Sequence, residues 1–325
     1  MTDYLNPQDL RPVHFEREDS APEQCHVFDN DSITAINAAL AAGRPLLLLG
    51  EPGVGKSQLA RAAARKLGRV FISVVVDAKT ESRDLMYRYD AVQRLADAQV
   101  KAALAASDNT LADRLESDLA AKNYLIPGPL WWAFDWDIAN TQSAGGSPPQ
   151  ERDNPGDPKA GAVLLIDEID KGQSELPNGL LEALGDGCFA PAGFNQTVSI
   201  SQIPPLVVVT SNDERQLPAA FVRRCLVHRL SLPESPEELQ KYLLELADVH
   251  QPQQGGEVKK KAARLLTQDR SAAREADIRP LPGLAEFFDM LRVLQRQYPG
   301  NEAAQLDAID AVAQFTSGKY KSLQP

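Results

Sequence analysis

The stretch Gly50-Glu51-Pro52-Gly53-Val54-Gly55-Lys56-Ser57 fills every fixed position of the phosphate-binding pattern G-x-x-x-x-G-K-[ST]. An apolar run at residues 45–49 precedes it and predicts a short buried strand, whereas residues 58–67 have the spacing of an alanine-rich amphipathic helix. A strand, a glycine loop and a helix N-terminus in this order direct backbone N–H groups at one point, where the helix dipole adds positive potential. The sequence therefore predicts a triphosphate site, in preference to a glycine-rich turn with a chance lysine.

The phosphate loop assigns roles to its polar side chains. Lys56 is predicted to contact the β- and γ-phosphates, and the Ser57 hydroxyl is predicted to bind Mg²⁺. We therefore expect ATP and Mg²⁺ as ligands. The predicted nucleotide-binding residues are Gly50, Glu51, Pro52, Gly53, Val54, Gly55, Lys56, Ser57 and Gln58.

A second pattern, a pair of carboxylates after an apolar run, supports this prediction. Residues 162–166 predict a buried strand, and Asp167 and Glu168 follow at its end. Asp167 would hold Mg²⁺ directly or through water, opposite Ser57. Glu168 would act as general base towards the water that attacks the γ-phosphate. A kinase or a small GTPase does not need this adjacent glutamate, so the pair favours an ATP-hydrolysing protein.

Composition and charge bound the class of protein. The chain is 43% hydrophobic and 24% charged, which is typical of a soluble globular protein. Its 325 residues are enough for one large domain and one smaller domain. The net charge of −11 argues against a general nucleic-acid binder. Three scattered cysteines suit a reducing cytosol and form no zinc pattern. With no export signal and no apolar stretch of about 20 residues, we expect a cytoplasmic protein without a membrane partner.

The pattern along the chain predicts an α/β protein with a helical C-terminal part. Near-continuous apolar runs, separated by helical spacing, predict a parallel sheet buried on both faces. The aromatic cluster at residues 131–136 is interpreted as local core, with a partner-binding patch as the alternative. Three parts are predicted: an extended N-terminal lead-in at 1–30, a nucleotide-binding domain at 31–232 and a helical lid domain at 233–325. Within the nucleotide-binding domain we expect a helical insert at about 80–125 and a mobile loop at about 140–161.

With these residues assembled, the chain resembles the AAA+ ATPases and, among them, the MoxR branch. The resemblance spans about residues 30–320 and implies a phosphate-loop parallel sheet sandwiched by helices, with a small all-helical C-terminal lid. Its sharpest matches are residues 164–171, 177–182 and 210–225, supported by residues 87–95 and 127–130.

The resemblance implies roles for four further residues. Asn212 matches sensor 1, which orients the attacking water, although asparagine at a strand end is often a turn former. Arg223 and Arg224 match the arginine-finger segment, which reaches the γ-phosphate of a neighbouring subunit. We favour Arg224 as the finger, and the other arginine could instead form an interface salt bridge. Arg279 matches sensor 2, with a solvated loop residue as the alternative.

The function implied is a Mg²⁺-dependent ATPase that works as a homo-oligomeric ring, expected to be a hexamer, and remodels or activates a protein partner. Relatives often work with a protein that bears a von Willebrand factor A domain. One alternative is a nucleotide-gated assembly module with slow hydrolysis. Another is a DNA-linked motor, against which the net charge and the lack of a basic, aromatic-interleaved stripe both argue.

Overall fold

A computed structural model describes residues 4–6, 12–15, 24–105, 117–143, 149 and 156–319. By internal compactness the chain divides into two units. The first comprises Met1–Pro7, Asp31–Leu47 and Ala60–Val227, and the second comprises Gln8–Asn30, Leu48–Leu59 and His228–Pro325. The phosphate loop therefore groups with the C-terminal helices. The domain boundaries at 30 and 232 stay predictions.

A five-stranded parallel sheet forms the centre of the α/β part, as predicted. Its order is β11-β3-β10-β7-β4, and β7 pairs in parallel with both β10 and β4. The central strands are built from β-branched residues and leucine and are buried along almost their whole length, which is typical of a sheet covered on both faces. The strands are β3 (Leu46–Leu49), β4 (Val70–Val75), β7 (Ala162–Asp167), β10 (Leu206–Ser211) and β11 (Leu226–Arg229).

Helices follow the strands and flank the sheet. The predicted helix after the phosphate loop is present, and it begins at Lys56, directly after the last glycine of the loop. The helices before the C-terminal part are α1 (Asn30–Ala42), α2 (Lys56–Lys66), α3 (Ser82–Met86), α4 (Ala91–Ala105), α5 (Pro129–Phe134), α6 (Trp136–Gln142), α7 (Glu175–Gly179), α8 (Leu181–Asp186) and α9 (Ala219–Arg224).

The segment around residue 180 differs from its prediction. The sequence pattern predicts one helix over 177–184, whereas the structure has α7 and α8 with Leu180 between them. At Gly179 a Cβ atom would lie 2.3 Å from the Ser82 hydroxyl oxygen, so α3 packs directly against the end of α7. The break therefore coincides with a close tertiary contact. The sequence pattern also predicts that residues 188–190 and 197–200 pair as a hairpin, and the structure confirms it, since β8 (Cys188–Phe189) pairs with β9 (Val198–Ser199).

The N-terminal segment is more structured than the extended lead-in predicted. Within its described part, β1 (Val13–Phe15) and β2 (Gln24–His26) pair antiparallel. Val13 and Cys25 are buried, so apolar burial supports this pairing. The polar and proline-rich composition of the segment did not indicate these few buried apolar positions.

The insert has strands in addition to the predicted helices. The insert contains α3 and α4 as expected, but β5 (Tyr87–Tyr89) and β6 (Leu125–Pro127) pair at its base, which a purely helical prediction missed. The sequence pattern also predicts Leu111 and Leu115 as apolar helix positions, but both lie outside the described residues. The predicted mobile loop begins too early, because helix α6 continues to Gln142, and most of the middle of the loop lies outside the described residues.

The aromatic cluster at residues 131–136 is partly core. Trp131 and Trp132 are buried, which confirms the core interpretation for these two side chains.

The C-terminal part is helical throughout its described elements, as predicted. It comprises α10 (Pro236–His250), α11 (Gly256–Glu275), α12 (Leu284–Gln297) and α13 (Glu302–Ala313). The apolar faces of these helices share one core, which includes Leu243, Leu266, Phe287 and Leu291. Strand β2 packs against α10 in the same unit. No helix among the described residues is both long enough and apolar enough to cross a bilayer.

Candidate active site

The phosphate loop is held in shape by its own glycines and by Lys56. Gly50 has φ +154°, and a Cβ atom there would lie 2.3 Å from the Leu230 carbonyl oxygen, so only glycine fits. Gly55 has φ +98°, directly before α2 begins. The Lys56 Nζ donates to the Gly50 carbonyl at 2.6 Å and to the Glu51 carbonyl at 3.0 Å. The loop thus places the N-terminus of α2 and a buried ammonium group together, which suits a polyphosphate.

Two arginines of the C-terminal part reach Glu51 in this loop. Arg279, predicted as sensor 2, has its Nη1 3.7 Å from Glu51 Oε1, and its side chain is 60% exposed. Arg270 Nη2 lies 2.6 Å from Glu51 Oε2, and this side chain is only 6% exposed. Arg279 therefore does lie beside the loop, but the closer and better buried partner is Arg270, which sequence reasoning missed.

A partly apolar pocket lies beside the loop, within the same unit. Gly53 and Gly55 contribute backbone to its wall, and Phe288 contributes an aromatic ring. Two imidazoles also line it, and the ring of His250 packs on Phe288 with centroids 4.5 Å apart. The other lining residues are Cys25, Val27, Val54, Gln58, Tyr242, Leu246, Gln251, Leu284, Ala285 and Arg292, together with the imidazole of His26. Such a mixture of apolar walls and a few polar groups is typical of a site for a flat organic ligand.

Both pocket imidazoles are neutral near pH 7. Burial lowers the pKa of His26 from 6.5 to about 4, against the opposing effect of Asp29. Burial, with a contribution from Arg292, lowers the pKa of His250 to about 4. The His26 Nε2 atom has no hydrogen-bond partner within the part of the chain that the structure describes. The pocket thus presents uncharged rings to whatever occupies it.

We expect acid to destabilise the fold through His26. Its folded pKa is depressed, so the unfolded chain binds more protons between about pH 6.5 and pH 4, and stability is lost as the pH falls through that window. At pH 5 the loss should be about 2 kcal/mol relative to pH 7.5. Denaturant unfolding of wild type and His26→Leu at both pH values measures it, with a smaller pH effect expected in the variant. An identical pH effect in both proteins would contradict the assignment.

Two acids and one amide converge in the other unit, at the ends of β7 and β10. The Thr210 hydroxyl donates to Asp167 Oδ1 and accepts from the Glu168 backbone N–H at 2.9 Å. The Asn212 amide nitrogen is 3.5 Å from Glu168 Oε1, and Lys171 Nζ is 2.8 Å from Glu168 Oε2. The contact with Glu168 raises the pKa of Lys171. The structure therefore brings Asn212 and Lys171 to Glu168, and Thr210 to Asp167 and the Glu168 backbone.

The backbone at Glu168 is unusual for a residue that is not glycine. It is left-handed, with φ 60° and ψ 47°, a conformation that is uncommon outside glycine and typical of constrained sites. This turn separates the direction of Glu168 from that of Asp167, one residue earlier. Asp170, which is buried, accepts from the backbone N–H groups of Asn212 and Glu214, both at 3.1 Å. It thereby joins the turn after β7 to the loop that carries Asn212.

The two predicted finger arginines lie at the C-terminal end of α9. Arg223 and Arg224 are both exposed. The guanidinium of Arg44 donates to both of their backbone carbonyls, with Nε 3.0 Å from the Arg224 oxygen. A cation at the last carbonyls of a helix satisfies groups that have no partner within the helix. Arg44 therefore anchors the backbone of this segment while the two arginine side chains point to solvent.

Comparison with known proteins identifies the family. Residues 45–225 match the model of the AAA domain, dynein-related subfamily. The chain belongs to this family. This AAA protein also aligns with a proposed ATPase from Cytophaga hutchinsonii, at 14% identity and a TM-score of 0.38, over 86% of this chain and 78% of that one. A RuvB mutant from Thermotoga maritima aligns at 16% identity and a TM-score of 0.42, over 86% and 68%. Comparison with curated proteins gives no significant match.

Several polar residues of this AAA protein were not assigned from the sequence. Thr210 and Lys171 contact the paired acids, and both stand in stretches that carry the AAA+ resemblance, so the motifs could have indicated them. Arg270 had a different signal. It falls on the buried face of α11 with Leu266, Thr267 and Ala273, where a charged residue needs a partner. The family match supports a general ATPase activity for this chain.

Proposed function

We propose that this AAA protein is a MoxR-like ATPase that hydrolyses ATP with Mg²⁺ in a homo-oligomeric ring, a hexamer, to remodel or activate a protein partner. The observation that carries the proposal is the arrangement of Asp167, Glu168 and Asn212 in a chain with a complete phosphate loop. The three scattered cysteines form no disulfide among the described residues, which supports a reducing, cytoplasmic location.

The residues present fit ATP and Mg²⁺. The loop offers backbone N–H groups, and Lys56 is the cation for the terminal phosphates. Ser57 and Asp167 would hold the metal, which stabilises negative charge on the phosphates when bound. In parallel α/β sheets ligands bind beyond the carboxyl ends of the strands, and in this chain the phosphate loop follows β3 and the two acids stand at the end of β7. The pocket beside the loop would hold the purine base.

The hydrolysis step is proton transfer and in-line attack. Glu168 accepts a proton from water as the water oxygen attacks the γ-phosphorus and the bond to the β,γ-bridging oxygen breaks, giving ADP and phosphate. Asn212, which reaches Glu168, orients that water. Lys171, whose Nζ lies 2.8 Å from Glu168 Oε2, holds this carboxylate in position before the attack. Arg224 of a neighbouring subunit would stabilise charge on the transferring group.

A protein partner fits the surface of the insert. Helix α4 leaves Val92, Leu95 and Val100 exposed to solvent. Three large apolar side chains on one exposed helix indicate an interaction surface rather than a solvated one. We propose that the partner, such as a protein with a von Willebrand factor A domain, is contacted by this insert, and that specificity therefore lies in the segment.

Replacement of Lys56 tests the proposed nucleotide site. Lys56→Ala removes the buried ammonium group and should weaken MgATP binding roughly tenfold or more, because a charge-assisted contact to phosphate is lost. Isothermal titration calorimetry of wild type and variant measures it, with the surface variant Lys241→Ala as control. If the wild-type protein does not bind MgATP at millimolar concentration, the proposed ATPase function is refuted. If Lys56→Ala binds MgATP as tightly as wild type, the assignment of residues 50–57 as the nucleotide site is refuted.

A further inference from the structure

The phosphate loop carries an acidic side chain where its ligand carries negative charge. Glu51 is the one acid in residues 50–57, and its position in the loop pattern accepts any residue. Its side chain is 35% exposed, so water screens it only in part. Its backbone carbonyl accepts from Lys56 Nζ at 3.0 Å, which ties the residue to the lysine of the loop. An uncompensated carboxylate at this place would repel a triphosphate.

Arg270 supplies the compensating charge. Its Nη2 lies 2.6 Å from Glu51 Oε2, and its Nη1 donates to the Pro282 carbonyl at 2.8 Å. The guanidinium is almost fully buried, and its Nε has no partner within the described residues. Burial strengthens the pair relative to an exposed one, because the local dielectric constant is lower than that of water. A buried guanidinium of this kind depends on its carboxylate.

We propose that Arg270 is a positioning residue for the nucleotide: by pairing with Glu51 it cancels the acidic charge of the phosphate loop and fastens that loop to helix α11. Affinity for ATP then depends on the charge balance of this pair. Arg279, 3.7 Å from the same carboxylate and mostly exposed, contributes less because solvent screens it. The inference rests on the proposed function, since it takes the loop to bind ATP.

A charge-rescue experiment tests the pair. Arg270→Met keeps much of the side-chain volume but leaves Glu51 unneutralised, and we expect MgATP to bind at least tenfold more weakly, about 1.4 kcal/mol. Adding Glu51→Gln in the same chain should restore affinity to within about threefold of wild type. The loss of binding affinity in Arg270→Met should be larger for ATP than for ADP, because ATP carries more negative charge. Titration calorimetry with both nucleotides gives these values.

Lys259 provides a matched control on the same helix. Its ammonium group is also 6% exposed and lies 2.8 Å from a carboxylate, that of Asp248. Lys259→Met removes a cation that is as buried as Arg270, although its partner Asp248 is 73% exposed, so it should lower the thermal midpoint but leave the Kd for MgATP unchanged. Circular dichroism establishes that each variant is folded.

The outcomes separate the two proposals. Folded Arg270→Met that binds MgATP like wild type, or a double variant that stays tenfold weaker, would overturn the role of Arg270 while the wild-type protein still bound ATP. If Arg270→Met does not fold, the double variant Arg270→Met/Glu51→Gln tests the proposal by itself, because the proposal requires that this variant bind MgATP with nearly wild-type affinity. Absence of ATP binding by the wild-type protein would instead overturn the proposed function.

Discussion

Glu168→Gln is expected to bind MgATP and to assemble like wild type while losing nearly all hydrolysis. The amide keeps the size of the carboxylate and can keep the contact with Asn212, but it cannot take a proton from water. Loss of a general base typically costs roughly 10²- to 10⁴-fold in rate. Steady-state phosphate release measures the turnover, and calorimetry with MgATP measures the binding.

Two controls sharpen this test. Glu245→Gln changes an exposed acid of α10 and should hydrolyse ATP at the wild-type rate. Size-exclusion chromatography with MgATP shows whether Glu168→Gln still assembles. Turnover within threefold of wild type would show that Glu168 is not the base. The same variant, held in its ATP state, is also the form with which to isolate the protein partner.

Arg224→Ala is expected to lose about 10³-fold in turnover with little change in ATP binding. A finger arginine acts on the transition state in a neighbouring subunit, so its removal lowers kcat rather than affinity. Arg44 binds the backbone carbonyls of this segment, which keeps its local structure when the side chain is truncated. The kcat and KM of purified, assembled protein measure the effect.

Mixing variants distinguishes a finger that acts between subunits from a local effect. A Lys56→Ala subunit binds ATP weakly but retains Arg224, so it can complete the site of an Arg224→Ala neighbour. Mixed rings should regain part of the activity that either variant lacks alone. Arg223→Ala is the matched comparison and should retain more activity than Arg224→Ala. No regained activity in mixed rings, with assembly intact, would exclude a finger acting in trans.

The local motifs of this chain were predictable, because their chemistry depends on neighbours in sequence. The phosphate loop needs glycines, a lysine and a following helix within a few residues, and all of these are where the pattern places them. The strands were recognisable for a similar reason, since near-continuous apolar runs indicate burial on both faces. The role of Asn212 was indicated by the resemblance, whereas its contact with Glu168, 44 positions away, is known only from the structure.

Long-range pairings were not predictable. The β5–β6 pair joins residues about 38 positions apart, and no local sequence pattern predicts this pairing. The N-terminal hairpin depends on a few buried side chains within a polar segment. Arg270 lies on an apolar helix face, but its partner Glu51 is 219 positions away, and only the folded chain shows the contact. Sequence patterns thus identify the chemical groups, whereas tertiary packing decides which charges compensate one another.

The Glu51–Arg270 pair has a consequence for how this protein could diverge. A phosphate loop without an acid at position 51 has no charge to cancel, so natural selection would no longer retain the distant arginine for that purpose. Among descendants of a common ancestor, exchanges at the two positions should accordingly occur together, and a chain that has lost only one of the two should carry a compensating change nearby.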